Sequence, residues 1–294
     1  MASAIRVLPE QQARALLGGY QAASRGKRHR VVLGIALMAG LALVAGWMAE
    51  VRPGTFADNI GNFTSYVAQI LPHLTLSNLP GDLAAWYWNL PKWLALLAET
   101  ILIAYLGTLI GAIGAFCLCF AASANLVRSP RLRFASRRFL EFCRTVPEVV
   151  FALIFVLAFG LGPVVGVMAL AIHTTGALGK LFAEVAENID MKPVEGVEAT
   201  GASWAETVGF AVLPQVLAGF ASYTLLRFEI NVRAAGVMGF VGAGGIGMEL
   251  LVAIRSFYYQ DISAILLLII VTVIVIDLLT ERLRRRLMSA EARH

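Results

Sequence analysis

The 294 residues are 59% hydrophobic and 15% charged, with a formal net charge of +5 and a mean hydropathy of +0.75. Soluble domains run at about 25% charged, so this composition excludes one or two ordinary soluble domains and indicates a polytopic membrane protein. The positive balance is then a topology signal rather than a sign of nucleic-acid binding.

In chain order, residues 1–30 are expected to form a cytoplasmic N-terminal segment. It is too long and polar for a cleaved leader, so Val31–Ala49 reads as a retained signal-anchor span. Within the segment, "LPEQQARALLGGYQ" has the make-up of an interfacial amphipathic helix. The outer loop Glu50–Lys92 carries Trp86, Tyr87 and Trp88, with Trp93 beside them, and this cluster is expected at headgroup level. The second span is Trp93–Ala121, long enough to tilt. Val149–Ile172 is broken by "GLGP" at Gly160–Pro163 into two helices joined by a tight turn. Thr207–Leu226 and Ile262–Thr280 complete six spans. Cys117, Cys119 and Cys143 read as small buried hydrophobes, and neither they nor the four histidines form a metal-ligand pattern.

Arginine and lysine cluster before the first span, between the second and third, after the fourth and at the chain end. Positive-inside places all four segments in the cytoplasm. The Gly-rich stretch Val232–Ile254 then dips into the protein and returns, because a seventh crossing would put "RLRRRL" outside. The expected fold is an all-α integral membrane protein with a transmembrane domain over 31–286 and a cytoplasmic tail over 287–294.

Between two apolar spans lies "PVEGVEATGASWAETVGFAVLP", Pro193–Pro214. Pro193 suits the first helical position and Gly201 the left-handed cap. Ser203–Glu206 ("SWAE") fits a capping box at the start of the next helix. Val194 and Val197 share one face of the short helix, Glu195 and Glu198 another. Such a helix is marginal alone and suits a docking element at the cytoplasmic surface.

The spacing of Glu195, Gly201, Leu213 and Pro214 resembles the EAA motif of ABC importer permeases, with Gly196, Val197 and Ala211 departing from the usual residues. The resemblance implies a type I, methionine-permease-like fold. It makes 193–201 a coupling helix that enters a cleft on a cytoplasmic ATPase, with Pro214 as a hinge. "RTVPEVVFALIF", "AIHTTGALGKLFAE" and Tyr223–Gln260 are similar to phosphonate importer permeases, so the resemblance covers most of Arg144–Arg286.

That family implies a second copy of the chain, two ATP-binding subunits, an extracytoplasmic solute-binding protein and the bacterial plasma membrane. It implies a phosphonate or related phosphorus oxyanion as cargo. The chain has no G-x-x-x-x-G-K-[ST]; "GALGKL" at Gly176–Leu181 lacks the upstream glycine and the hydroxyl. ATP and Mg²⁺ therefore belong to the partners, and this chain is expected to bind no cofactor and perform no covalent chemistry.

"GAGGIG" matches a dinucleotide fingerprint but lies in no βαβ unit. Gly242, Gly244, Gly245 and Gly247 instead read as a glycine-lined return. Arg227, Glu229, Asn231 and Arg233 cluster where the fifth span meets it. Either the arginines bias a pathway toward anions, or Arg227 pairs with Glu229 or another acid and holds helices together. His173 and Thr174 bond between helices or line the pathway. Glu99 and Asp277 are candidate partners for an arginine, and Arg144, Pro147 and Glu148 mark a salt-bridged helix start. A methionine or amino-acid permease and an ion-coupled secondary transporter are the alternative readings.

Overall fold

The computed structural model describes residues 10–72, 75 and 77–291, with side chains for 27–72, 75 and 77–287. Every regular element among them is helical. Two compact units divide at Tyr66 and Val67. The first holds α1 (Glu10–Met48), which runs unbroken through position 30 into the first span, and most of α2 (Pro53–Ile70). Leu8 and Pro9 of the expected interfacial helix lie outside the described residues, as do 292–294 of the tail.

The second unit is the bundle. Its long helices are α4 (Leu90–Ala122), α7 (Pro163–Glu187), α10 (Leu213–Met238) and α12 (Tyr259–Glu291). Five helical stretches are long and apolar enough to cross a membrane, and a sixth passes only when a bent pair is counted together. That pair is α5 (Pro130–Thr145) and α6 (Glu148–Phe159), set at 83° to each other. The expected third span is thus only the 12 residues of α6. At 1.5 Å per residue it reaches about 18 Å, short of the roughly 30 Å hydrocarbon core. Pro147 is the reason: it cannot continue a helix, and the residue before it is pushed to extended backbone.

Small residues let α4 and α7 approach closely. A Cβ on Gly107 or Gly111 would come within 2.6 Å of Leu170 or Thr174, and one on Gly114 within 2.8 Å of Thr175. This is the packing available in lipid, where apolar burial alone does not drive helix association. Gly176 and Gly179, the glycines of the "GALGKL" stretch, sit mid-α7 against Leu140 and Cys143 of α5. That stretch is a packing seam. Cys119 and Cys143 are buried, whereas Cys117 is exposed on α4, against expectation.

The fifth span extends well beyond Leu226, so the Arg227–Arg233 cluster lies inside α10 rather than at its end. The return that follows is a 3₁₀ turn (Gly239–Val241), a glycine turn and α11 (Ile246–Arg255). Gly242, Gly244 and Gly245 have φ of 89°, 81° and 75°. A Cβ at Gly247 would fall 1.8 Å from the Gly236 carbonyl oxygen, so no other residue fits there.

The aromatic cluster divides. Trp93 is buried in the core beside Leu97, Ile246 and Ile265 and is not a headgroup anchor. Trp86, at the end of α3 (Leu79–Trp86), donates to the Gln260 carbonyl (3.1 Å) and Ser263 Oγ (3.0 Å), and Trp88 to Asp261 (3.0 Å).

Gly247→Ala is expected to abolish recovery of folded protein, because backbone must move to admit the methyl. Gly196→Ala, at an open position, should leave the melting temperature in detergent unchanged. Equal melting temperatures for the two would contradict the close approach.

Candidate coupling helix and intramembrane polar cluster

The surface helix is α8, Met191–Ala199. It begins two residues earlier than the proline rule predicts because Asp190 caps it, accepting from Lys192 N (3.1 Å). Pro193 is consequently third, still within the turn whose N–H groups have no helical partner. Thr200 closes the helix and Gly201 follows at φ 82°. The capping box is complete: Glu206 N donates to Ser203 Oγ (3.4 Å) and Ser203 N to Glu206 Oε2 (2.7 Å).

The apolar face of α8 is not free for a partner. Val194 is 1% exposed and packs, with Val197 at its edge, into a core of Leu178, Phe182, Val212 and Val216. The exposed face carries Glu195, Gly196, Glu198, Ala199 and Gly201. The valines thus hold the helix to its own bundle, and the acidic, small-residue side is exposed.

Between this helix and α10 lie α9 (Trp204–Thr207) and a π turn, Val208–Val212, in which Leu213 N reaches back to the Val208 carbonyl. A proline ring clashes with the carbonyl four residues before it, and the wider turn just ahead of Pro214 relieves that. Gln215 then does what the sequence did not reveal. Its Oε1 accepts from Asp190 N (3.1 Å), while its Nε2 donates to the Asp190 carbonyl (3.2 Å) and the Ala211 carbonyl (2.7 Å). One amide therefore locks the cap of α8 to the start of the fifth span. Trp204 adds a bond to the Leu126 carbonyl (3.0 Å).

The ionisable cluster of α10 divides by helical period. Arg227 and Asn231, four apart, face α7 and α4. Arg227 bonds to Thr174 Oγ1 (3.4 Å) and His173 Nδ1. Asn231 is fully buried and donates to Thr108 Oγ1 (2.8 Å) and Thr174 Oγ1 (2.9 Å). Glu148, at the start of α6, lies 3.5 Å from His173 Nδ1, the nitrogen that Arg227 also contacts, so this helix start faces the α7–α10 polar cluster. Glu229 and Arg233 share the other face and pair with each other, and Arg233 lies 3.5 Å from Asp277 of α12.

The expected Arg227–Glu229 pair is absent because two residues of helical separation point these side chains to different faces. Glu99 is likewise no arginine's partner. It accepts from Gly245 N (3.1 Å), and Thr100 Oγ1 accepts from Ile246 N (2.9 Å). The glycine at the start of α11 has no side chain for capping, so α4 caps that helix from outside. Gly242 and Gly244 complete the contact around the α6–α7 turn, where Gly162 N donates to the Gly242 carbonyl (3.0 Å).

An all-helical bundle with five to six apolar spans and a short helix tied by hydrogen bonds to one of them is the architecture of a multi-pass membrane protein. Residues 118–290 match the model of the family described as binding-protein-dependent transport system inner membrane component. The chain belongs to that family, as a multi-pass permease subunit of an ABC importer in the inner membrane. It is 34% identical over 283 residues to a phosphite transport system permease protein of Stutzerimonas stutzeri, covering 96% of this chain and 97% of the relative. A phosphate-import permease protein of Mycolicibacterium smegmatis is 35% identical over 247 residues, 84% of this chain and 44% of the relative. Among solved structures, a bacterial ABC transporter involved in alginate import superposes with TM-score 0.58 at 14% identity, over 83% of this chain and 97% of that one. The methionine transporter MetNI in an inward-facing state gives 0.57 at 17% identity, over 66% and 95%. These structures share the fold.

Gln215→Leu keeps the volume and removes three hydrogen bonds. In the assembled transporter it is expected to leave ATP hydrolysis within about twofold and to lower substrate uptake at least several-fold, a loss of roughly 1 kcal/mol per bond at the link. Uptake and hydrolysis falling in step would mean that the amide serves stability alone.

Proposed function

We propose that this chain, as one of two identical copies, imports a phosphonate or a related phosphorus oxyanion by alternating access. The two copies are related by a two-fold axis, the commonest symmetry for such assemblies. Two cytoplasmic subunits bind ATP and Mg²⁺ and hydrolyse the nucleotide. An extracytoplasmic solute-binding protein delivers the cargo. The chain itself holds no cofactor and performs no covalent step.

Docking is assigned to the exposed side of α8, through Glu195, Glu198 and Gly201. Val194 and Val197 act from inside, passing movement of the helix into the core they occupy. Pro214 and the π turn ahead of it form the flexible joint, and Gln215 ties that joint to the cap of α8.

The observation that carries the anion reading is the contrast between two arginines. Arg233 has carboxylate partners in Glu229 and Asp277, whereas Arg227 bonds to an imidazole and a hydroxyl. Its acid, Glu148, acts on it from beside His173 rather than through a direct bond, which leaves guanidinium N–H groups for planar or tetrahedral oxyanions, and a charge inside a span is costly enough to need a purpose. Thr174, Asn231 and His173 orient it. The names of the relatives support the same class of cargo.

The test is uptake by the reconstituted complex of labelled phosphite, methylphosphonate and methionine. Arg227→Gln is expected to lower phosphorus-oxyanion uptake by about tenfold or more, the effect of a lost charged hydrogen bond. Arg233→Gln should act on assembly, through the α10–α12 contact. Methionine uptake with no oxyanion uptake would replace the cargo. Transport that survives inactivation of the ATPase would point to an ion-coupled carrier.

A further inference from the structure

The amphipathic helix α5 has two faces of different use. Its inner face buries Ser136, Leu140 and Cys143 against α7. Arg137, at the edge of that face, donates to the Ala122 carbonyl (2.8 Å) and pairs with Glu187 near the end of α7. Its outer face leaves Leu132, Phe134, Phe139 and Phe142 51%, 65%, 52% and 60% exposed. Arg131 and Arg138 project from the same face, between Phe134 and Phe142, with Arg138 over the Phe134 ring at 5.5 Å and paired with Glu141 (2.7 Å). Within Pro130–Thr145 five arginines stand against one acid, Glu141.

We propose that the outer face of α5 binds anionic phospholipid of the cytoplasmic leaflet, with the aromatic strip among the acyl chains and Arg131 and Arg138 on the headgroups. Three observations select this occupant. The 83° bend at Pro147 lays α5 near the membrane plane if α6 enters the bilayer along its normal. Exposed aromatics interleaved with arginines on one face are the composition of a helix lying at the interface, where guanidinium groups on flexible stems reach for headgroups while rings stay in hydrocarbon. A second copy is disfavoured, because two-fold pairing of this face would set arginine against arginine.

The lipid then acts on the transport cycle through α7. Arg137 grips Glu187, whose carboxylate also accepts from Ala124 N (2.6 Å), three residues before Asp190 caps α8. A headgroup layer that holds α5 at a fixed depth fixes the level at which the coupling helix is presented. This inference is independent of the cargo.

The experiment uses the assembled transporter in nanodiscs, with a bimane fluorophore on Phe139→Cys in a Cys117→Ala background. Nitroxide-acyl phosphatidylglycerol and phosphatidylcholine serve as quenchers. Both lipids should quench, phosphatidylglycerol more strongly at equal mole fraction. The double variant Arg131→Gln/Arg138→Gln should weaken the phosphatidylglycerol preference by about fivefold per arginine, as for ~1 kcal/mol of attraction each to an anionic surface. Unchanged phosphatidylcholine quenching in the double variant checks that the helix is still seated. Equal quenching by the two lipids in the parent protein would overturn the proposal. Absence of quenching by either would overturn it too, showing that protein covers the face.

Discussion

The close approach of α4 to α7 governs the rest of the bundle. With Gly107, Gly111 and Gly114 turned toward Leu170, Thr174 and Thr175, the two backbones come near enough for one side chain of α10 to bond to both. Asn231 does this through Thr108 and Thr174. The same helix pair sets the height of Thr100 and Glu99 against the glycine turn, and of Gly176 against α5. In hydrocarbon the backbone must be satisfied by protein, so the irregular turn between α10 and α11 exists only because α4 supplies its missing acceptors.

Charge placement follows from the same scarcity of water. Glu229, Arg233 and Asp277 neutralise one another between α10 and α12. Arg227, on another face, bonds to Thr174 and His173, with the Glu148 carboxylate acting on it from beside His173. One helix thus carries two separate charge groups, Glu229–Arg233–Asp277 on one face and Arg227–His173–Glu148 on the other. Substitution on one side then need not disturb the other.

Much of the architecture was legible because it rests on local rules. The hydropathy runs, the Gly160–Pro163 break, the Gly201 cap and the Ser203–Glu206 box each concern a few adjacent residues, and each is present. What escaped depends on distant partners. Asp190 began α8 earlier than Pro193 suggested, and the Gln215 bridge spans 25 residues with no motif. The direction of Val194 was set by a core that only the folded chain assembles. Glu99 looked like an arginine's partner because sequence shows charges and hides backbone N–H groups. The i to i+4 spacing of Arg227 with Asn231, and of Glu229 with Arg233, did hold the information that the cluster would divide.

The π turn at Val208–Val212 has a bearing on how this region can be compared or redesigned. One residue beyond the α-helical repeat shifts angular phase by about 100°, so stripes counted continuously from Trp204 through Leu213 land on wrong sides of the cylinder. Heptad arithmetic must restart at Leu213. Any chimera joined across that point without its extra residue would rotate Gln215 away from Asp190 and break the tie between the short surface helix and the span, though every grafted side chain were conserved in identity.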